Sequence, residues 1–157
     1  MIAWRIATET QFHKADDATG EGAKISGGRW NNKGTALIYT ATTRALACLE
    51  TIVHLNALKL PVNRYLVSFD IPETIWNKRE TLSVEEMEAG WDDKPPGTTS
   101  KNFGDKWAKE NRSCILEVPS VIICEEMNVL INPEHPDAKH ITVTPVRKWE
   151  YDARLIT

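Results

Sequence analysis

The chain has 157 residues, 41% of them hydrophobic and 26% charged, with a formal net charge of −3. That size suits a single domain able to bury most of its apolar surface without disulfides or metal. The acidic balance argues against broad binding to a phosphate backbone, which needs a basic surface, and no apolar run approaches the length of a membrane span.

The first residues, 1–7, alternate apolar and other side chains and read as a strand carrying Arg5. Residues 8–26 are polar, with no strong period, and read as a loop or short helix. Gly27-Gly28 marks a sharp turn or a place where backbone approaches something closely. Asn31-Asn32-Lys33-Gly34 is a second turn signal, and a strand is expected over about 35–40. Thr42 or Thr43 is placed to cap a helix whose apolar face carries Leu46, Leu49, Val53 and Ala57. Residues 65–71, Y-L-V-S-F-D-I, alternate as a strand that Pro72 stops. Ser83 and Glu86 have capping-box spacing for one or two helical turns. Residues 92–100 read as a loop, and 101–111 as a helix with Phe103 and Trp107 four apart. Residues 113–118 and 121–124 read as one long strand or two, 128–131 as a short buried run, 132–136 as a turn and 141–146 as a strand. The tail from Trp149 to Ile156 is a candidate further strand. Short strands with a few irregularly placed helices, and no regular βαβ alternation, point to an α+β fold in one domain spanning 1–157.

Glu50 is the sharpest chemical signal. A carboxylate on the apolar side of a helix is costly unless paired or set at the edge of a cavity. Two readings stand level: a salt bridge to Arg5, Arg29 or Arg44, or a site carboxylate that stabilises developing positive charge. Arg29 follows two glycines, which suits either a surface arginine after a turn or a fork gripping phosphate against open backbone. Tyr39, ten residues after Arg29 and eleven before Glu50, is core or catalytic. His54, four residues beyond Glu50, either polarises a site group or is merely half-buried. The hydroxyls of Thr98, Thr99 and Ser100 cap a helix or bind an anion or ribose. The six tryptophans are many for this length, and indole stacks well on flat rings. Cys48, Cys114 and Cys124 show no CxxC spacing and read as reduced, buried small hydrophobes. His135 and His140 form only a weak metal pattern, so no metal is expected. Without a charged region and apolar core of signal-peptide type at the N-terminus, a cytoplasmic location is the expectation.

The ordered set W-R at 4–5, G-G-R-W-N at 27–31, I-Y-T at 38–40 and A-C-L-E-T-I-V-H-L at 47–55 resembles the RES-domain toxins of bacterial toxin–antitoxin pairs. G-D-K-W at 104–107, V-P-S at 118–120 and N-V-L-I-N-P-E-H-P at 128–136 extend the resemblance over nearly the whole chain. The resemblance implies an ADP-ribosyltransferase-like fold and cleavage of the nicotinamide–ribose bond of NAD by hydrolysis or phosphorolysis. ADP-ribosylation of a specific host protein is the alternative. It also implies neutralisation by an Xre-type helix-turn-helix antitoxin, a possible homodimer, and no direct contact of this chain with nucleic acid. Residue by residue, the family's arginine, tyrosine and glutamate fall on Arg29, Tyr39 and Glu50, and an upstream arginine on Arg5. Arg29 and Arg5 would grip the diphosphate beside Gly28. Tyr39 would stack on the nicotinamide or shape the ribose pocket, Trp30 and His54 would border the site, and Glu50, buried between Leu46 and Val53, would face the ribose. The family serine is placed first on Ser100, with Thr99 beside it; Ser113 and Ser120 also match family serines.

Overall fold

The computed structural model describes residues 1–54 and 61–156. Seven strands form one sheet: β1 (Ile2–Thr8), β2 (Ile38–Ala41), β3 (Arg64–Asp70), β4 (Glu80–Thr81), β5 (Ile115–Pro119), β6 (Met127–Ile131) and β7 (Thr142–Trp149). Their order is β4-β5-β6-β2-β1-β3-β7, and every pairing is antiparallel except β4 with β5. Among the described residues four helices accompany them: α1 (Glu21–Ser26), α2 (Arg44–Ile52), α3 (Glu73–Trp76) and α4 (Thr98–Glu110). The expected α+β class is the observed one.

Because side chains alternate across a strand, the sheet has two distinct faces. On one, Trp4 and Ile6 of β1, Ala41 of β2 and Leu66 of β3 receive Leu46 and Ala47 of α2. The same face, further along, carries Leu116 and Val118 of β5 and Leu130 of β6, which pack with Trp107 of α4 and with Trp30 and Trp91. The opposite face carries Ala3, Ile38, Val67, Phe69, Val129 and Ile131, covered by Ala15 and by Ile75 of α3. Two helices thus lie side by side on one face, over different strands.

α2 starts where expected: the Thr43 hydroxyl accepts the backbone N–H of Leu46 at 3.0 Å. It ends earlier, at Ile52, with Val53 and His54 in a turn; Leu55 and Ala57, which the apolar period includes, lie outside the described residues. Val53 is 53% exposed, and past Glu50 it is Ile52 that still packs against the sheet. α4 begins three residues before the expected start, which puts Thr98, Thr99 and Ser100 inside its first turn instead of in a loop. Gly97 is the cap residue, and no side chain caps the helix. Residues 121–124 form no strand: Pro119 is the last paired residue of β5, and Ser120 opens the turn that returns to β6. The tail beyond β7 closes as a 3₁₀ turn at Ala153–Ile156, not as a strand. The Ser83–Glu86 capping box forms, with the Ser83 N–H donating to Glu86 Oε2 at 2.8 Å. Of the cysteines, Cys114 is buried and its thiol is pushed up to about 12 by burial and the nearby Asp137. Cys48 is half-buried, and Cys124, against expectation, is exposed.

α4 is seated against the 29–32 segment at Gly104, where an added Cβ would run into the carbonyl of Trp30. Mid-helix glycine costs about 1 kcal/mol relative to alanine. Here the close approach decides the sign, because overpacking costs roughly 1–3 kcal/mol and the obstacle is backbone. Gly104→Ala is therefore expected to lower the melting temperature by several degrees in a thermal melt. An unchanged or raised midpoint would show that α4 is not held this closely.

Candidate active site

Glu50 sits in the last turn of α2, and its carboxylate is half-buried. Two side chains donate to the same oxygen, Oε1: Ser120 Oγ at 2.8 Å and Asn128 Nδ2 at 2.6 Å. Among the described residues no donor reaches Oε2. The strands explain this convergence. Ala41 of β2, which packs under α2, lies directly across from Asn128 of β6, and Val118 of β5 lies across from Asn128 on its other side. Asn128 therefore points to the α2 face, and Ser120, two residues beyond Val118, emerges at the end of β5 beside it.

The Ser120 hydroxyl is oriented by its own turn. It accepts the N–H groups of Ile122 and Ile123 at 3.1 and 3.3 Å, and its side chain is fully buried. With those acceptor positions filled, its proton is left to Glu50. Hydrogen bonds to an ionised carboxylate are among the stronger ones, commonly about 1.5–3 kcal/mol. The glutamate is held by hydrogen bonds and not, as the apolar pattern implies, by burial between Leu46 and Val53. Nor does it pair with the arginines. Arg44 stacks 3.7 Å over the Trp4 ring, and Arg5 and Arg29 donate to backbone carbonyls.

Tyr39 stands on the same face as Asn128, one side-chain pair along the β2–β6 ladder. Its hydroxyl accepts the Trp30 N–H at 2.9 Å and donates to Asn31 Oδ1 at 2.6 Å. Asn31 is buried, and its amide in turn donates to the carbonyls of Ala23, Asn32 and Thr35. Gly28 closes over this group: a Cβ there would stand 2.5 Å from Tyr39 Oη and 2.9 Å from Asn31 Oδ1. Burial pushes the Tyr39 hydroxyl well above its ordinary range, so it stays protonated and keeps its donor role. Asn31 and Asn128 fall inside the family-like stretches at 27–31 and 128–136, but the role of an amide shows only when its partners are in place.

Arg29 lies within electrostatic reach of Glu50 and Tyr39. Burial pulls its guanidinium below its ordinary value, while Glu50 and Asp92, with Tyr39 and Asp93, act against that. Its hydrogen bonds go to main chain: Nη1 donates to the carbonyls of Trp91 and Asp93 at 2.9 and 3.1 Å, and Nη2 to Asp93 at 3.1 Å. In this structure Arg29 fastens the 91–93 loop beside Tyr39 and presents positive charge from there, a different task from a free phosphate fork.

The other expected residues separate. Arg5 points to the opposite face of the sheet, where it donates to the carbonyls of Ala15 and Asp17 and lies over the Phe69 ring. Its alternation with Trp4 and Ile6, which contact α2, explains why it cannot share a cleft with Glu50. Trp30 is 3% exposed and packs against Trp91 and edge-on to Phe103. Its backbone N–H, not its ring, meets Tyr39. Ser100 is buried and donates to the Arg29 carbonyl at 2.7 Å, so it braces the arginine from behind. Thr99 donates to the Ala89 carbonyl at 3.3 Å. Trp30, Thr99 and Ser100 border a cavity of about 470 Å³ between α4 and the 82–91 segment, and Glu50 does not line it. His54 is exposed in the turn after α2. Ser113 bonds to Trp107 and Glu80, within the packing under α4. Of the serines considered, Ser120 is the one that reaches the glutamate. His135 caps the 3₁₀ turn Pro136–His140 by accepting the Asp137 N–H.

Comparison with known proteins supplies the family. A protein named "Prs ADP-ribosylating toxin" from Sphingobium sp. is 53% identical over 153 residues, covering 98% of this chain and 95% of that one. "Toxin Res" of Photorhabdus laumondii is 34% identical over 158 residues, covering 99% and 97%. "Toxin Res" of Yersinia enterocolitica is 33% identical over 157 residues, covering 99% of each. Among solved structures, a chain of the M. tuberculosis MbcT–MbcA toxin–antitoxin complex has the same fold, with a TM-score of 0.71 at 14% identity over 94% of this chain and 83% of that one. The model of the RES domain matches residues 2–154, and the chain belongs to the RES-domain family.

Proposed function

We propose that this chain is a toxin that cleaves the nicotinamide–ribose bond of NAD and transfers the ADP-ribose to a protein. The observation that carries the first step is the carboxylate of Glu50, held through Oε1 by Ser120 and Asn128 with Oε2 left to face a substrate. Departure of nicotinamide leaves positive charge on the ribose. A carboxylate fixed in orientation, in a cleft partly removed from water, stabilises that charge without having to reorganise. Two donors on the far oxygen hold the group in one orientation. Tyr39, anchored through its hydroxyl, offers its ring as a wall, and Arg29 brings positive potential near Glu50 and Tyr39.

The second step rests on the relative named for ADP-ribosylating Prs, whose identity of 53% over nearly full length exceeds that of the relatives named Toxin Res. Prs is accordingly the first acceptor to try. Hydrolysis or phosphorolysis, the acceptors implied by the family resemblance, is the second reading; it shares the first step and differs only in what attacks the ribose. The complex formed by the structural relative supports an antitoxin partner for this chain, and an Xre-type helix-turn-helix protein is the form proposed. We place this activity in the cytoplasm, where NAD and such a partner meet; among the described residues no helix is long and apolar enough to cross a membrane.

Purified protein is expected to release nicotinamide from NAD, and Glu50→Gln to abolish that release while keeping the wild-type melting temperature. Equal nicotinamide release by wild type and Glu50→Gln would remove the carboxylate from the chemistry. With NAD labelled in its adenylate half, label on Prs supports transfer, and free ADP-ribose or its phosphate supports depletion.

Ser120→Ala and Asn128→Ala each remove one charge-assisted hydrogen bond. Each is expected to lower kcat by about 10- to 100-fold, the double variant falling short of the product of the two. Ser100→Ala, at a residue that braces Arg29 through its backbone, is expected to cost less than Ser120→Ala. If the order of the two serine variants is reversed, the family serine belongs on Ser100.

A further inference from the structure

We propose that the cavity between the 26–33 turn and the first turns of α4 is an anion subsite for the diphosphate of the dinucleotide, with Lys33 and Lys101 as its cations. This rests on the NAD reading above and assigns the phosphate grip to residues that neither motif nor family points to. The cavity measures about 260 Å³ and is walled by Gly27, Gly28, Asn31, Lys33, Pro96 and Lys101. That is smaller than the ~300–1,000 Å³ of a pocket for a whole ligand, and suits one polar part of a longer molecule.

Two observations point to an anion. Among the described residues no carboxylate lines the cavity. Neither lysine forms an ion pair among the described residues, although the chain as a whole is acidic. The nearby carboxylate on α4, Asp105, is bonded to Asn32, a residue of the cavity wall: its two oxygens accept the Asn32 N–H at 3.0 Å and Asn32 Nδ2 at 2.7 Å. Those same bonds tie the turn to α4, so the backbones carrying Lys33 and Lys101 are held at a set separation before any ligand arrives.

The position also fits. Gly28 both walls the cavity and lies against Tyr39 Oη, so the cavity adjoins the Tyr39 cluster. Gly27, with φ of +71°, takes a conformation that side-chain-bearing residues rarely adopt, and it leaves that wall low. Arg29, the expected phosphate fork, has its guanidinium donating to Trp91 and Asp93 carbonyls. A dinucleotide whose ribose meets Glu50 therefore needs another source of positive charge for its phosphates. Ammonium groups on flexible stems serve as point charges for phosphate.

The test is calorimetric titration of the full chain with inorganic pyrophosphate and with ADP-ribose. Wild type is expected to bind both, with affinity falling as salt is added. Lys33→Gln/Lys101→Gln is expected to bind each at least about tenfold more weakly, and Lys148→Gln to match wild type. In turnover the double variant is expected to raise KM for NAD more than it lowers kcat. The charge-conserving pair Lys33→Arg/Lys101→Arg is expected to retain binding. Absence of binding by wild type, or equal binding by wild type and the glutamine pair at matched melting temperature, overturns the subsite. The two readings fail separately. Lysine-dependent pyrophosphate binding by a protein that leaves NAD intact supports the subsite and sinks the NAD reading. NAD cleavage with a KM indifferent to both lysines overturns the subsite alone.

Discussion

The pair of hydrogen bonds onto Glu50 Oε1 ties together a helix, a strand and a turn that lie far apart in the chain. Glu50 belongs to α2, Asn128 to β6, and Ser120 to the turn that follows β5. A carboxylate half removed from water is costly until its oxygens are satisfied, so helix, strand and turn must meet in one arrangement. The Ser120 turn contributes most to this specificity. Its own N–H groups fill the acceptor side of the hydroxyl, and the remaining proton has one direction to go.

A second constraint organises the other side of the cleft. Tyr39 is fixed by Asn31 and the Trp30 N–H, Gly28 fits over its hydroxyl, and Gly104 lets α4 approach the same segment. Arg29 then ties the 91–93 loop beside it, and Ser100 supports the arginine's own carbonyl. Arg29, within electrostatic reach of both Glu50 and Tyr39, connects the two clusters. Enzymes that stabilise developing charge need groups fixed in place, because a group that must reorient during reaction loses most of its benefit. Arg29 brings positive charge near Glu50 and Tyr39, while Lys33 and Lys101 line a separate cavity.

What was legible in the chain itself was pattern. Alternation exposed β1 and β3, the Thr43 cap located the start of α2, and Ser83 with Glu86 located a 3₁₀ turn. Glu50 stood out because a carboxylate among apolar helix residues needs a partner. The order of short motifs along the chain was enough to suggest the RES family, since spacing and residue type are both written in sequence. The misplacements have local causes. No side chain caps α4, so its first turn looked like loop; Pro119 ends β5 before an apolar stretch that resembles strand.

Partners across the fold were beyond that kind of reading. Ser120 and Asn128 are 70 and 78 residues from Glu50 and meet it only through the β5–β6–β2 register. Ser100 and Ser120 are alike as hydroxyls; packing directs one to a backbone carbonyl and the other to the glutamate. Arg5 falls on the wrong face because side chains alternate, and no motif records which face a helix will cover. The sequence by itself determined the fold class, the family pattern and the carboxylate worth following. Tertiary structure alone decided which groups that carboxylate touches, because hydrogen bonds form between neighbours in space and strand register sets who those neighbours are.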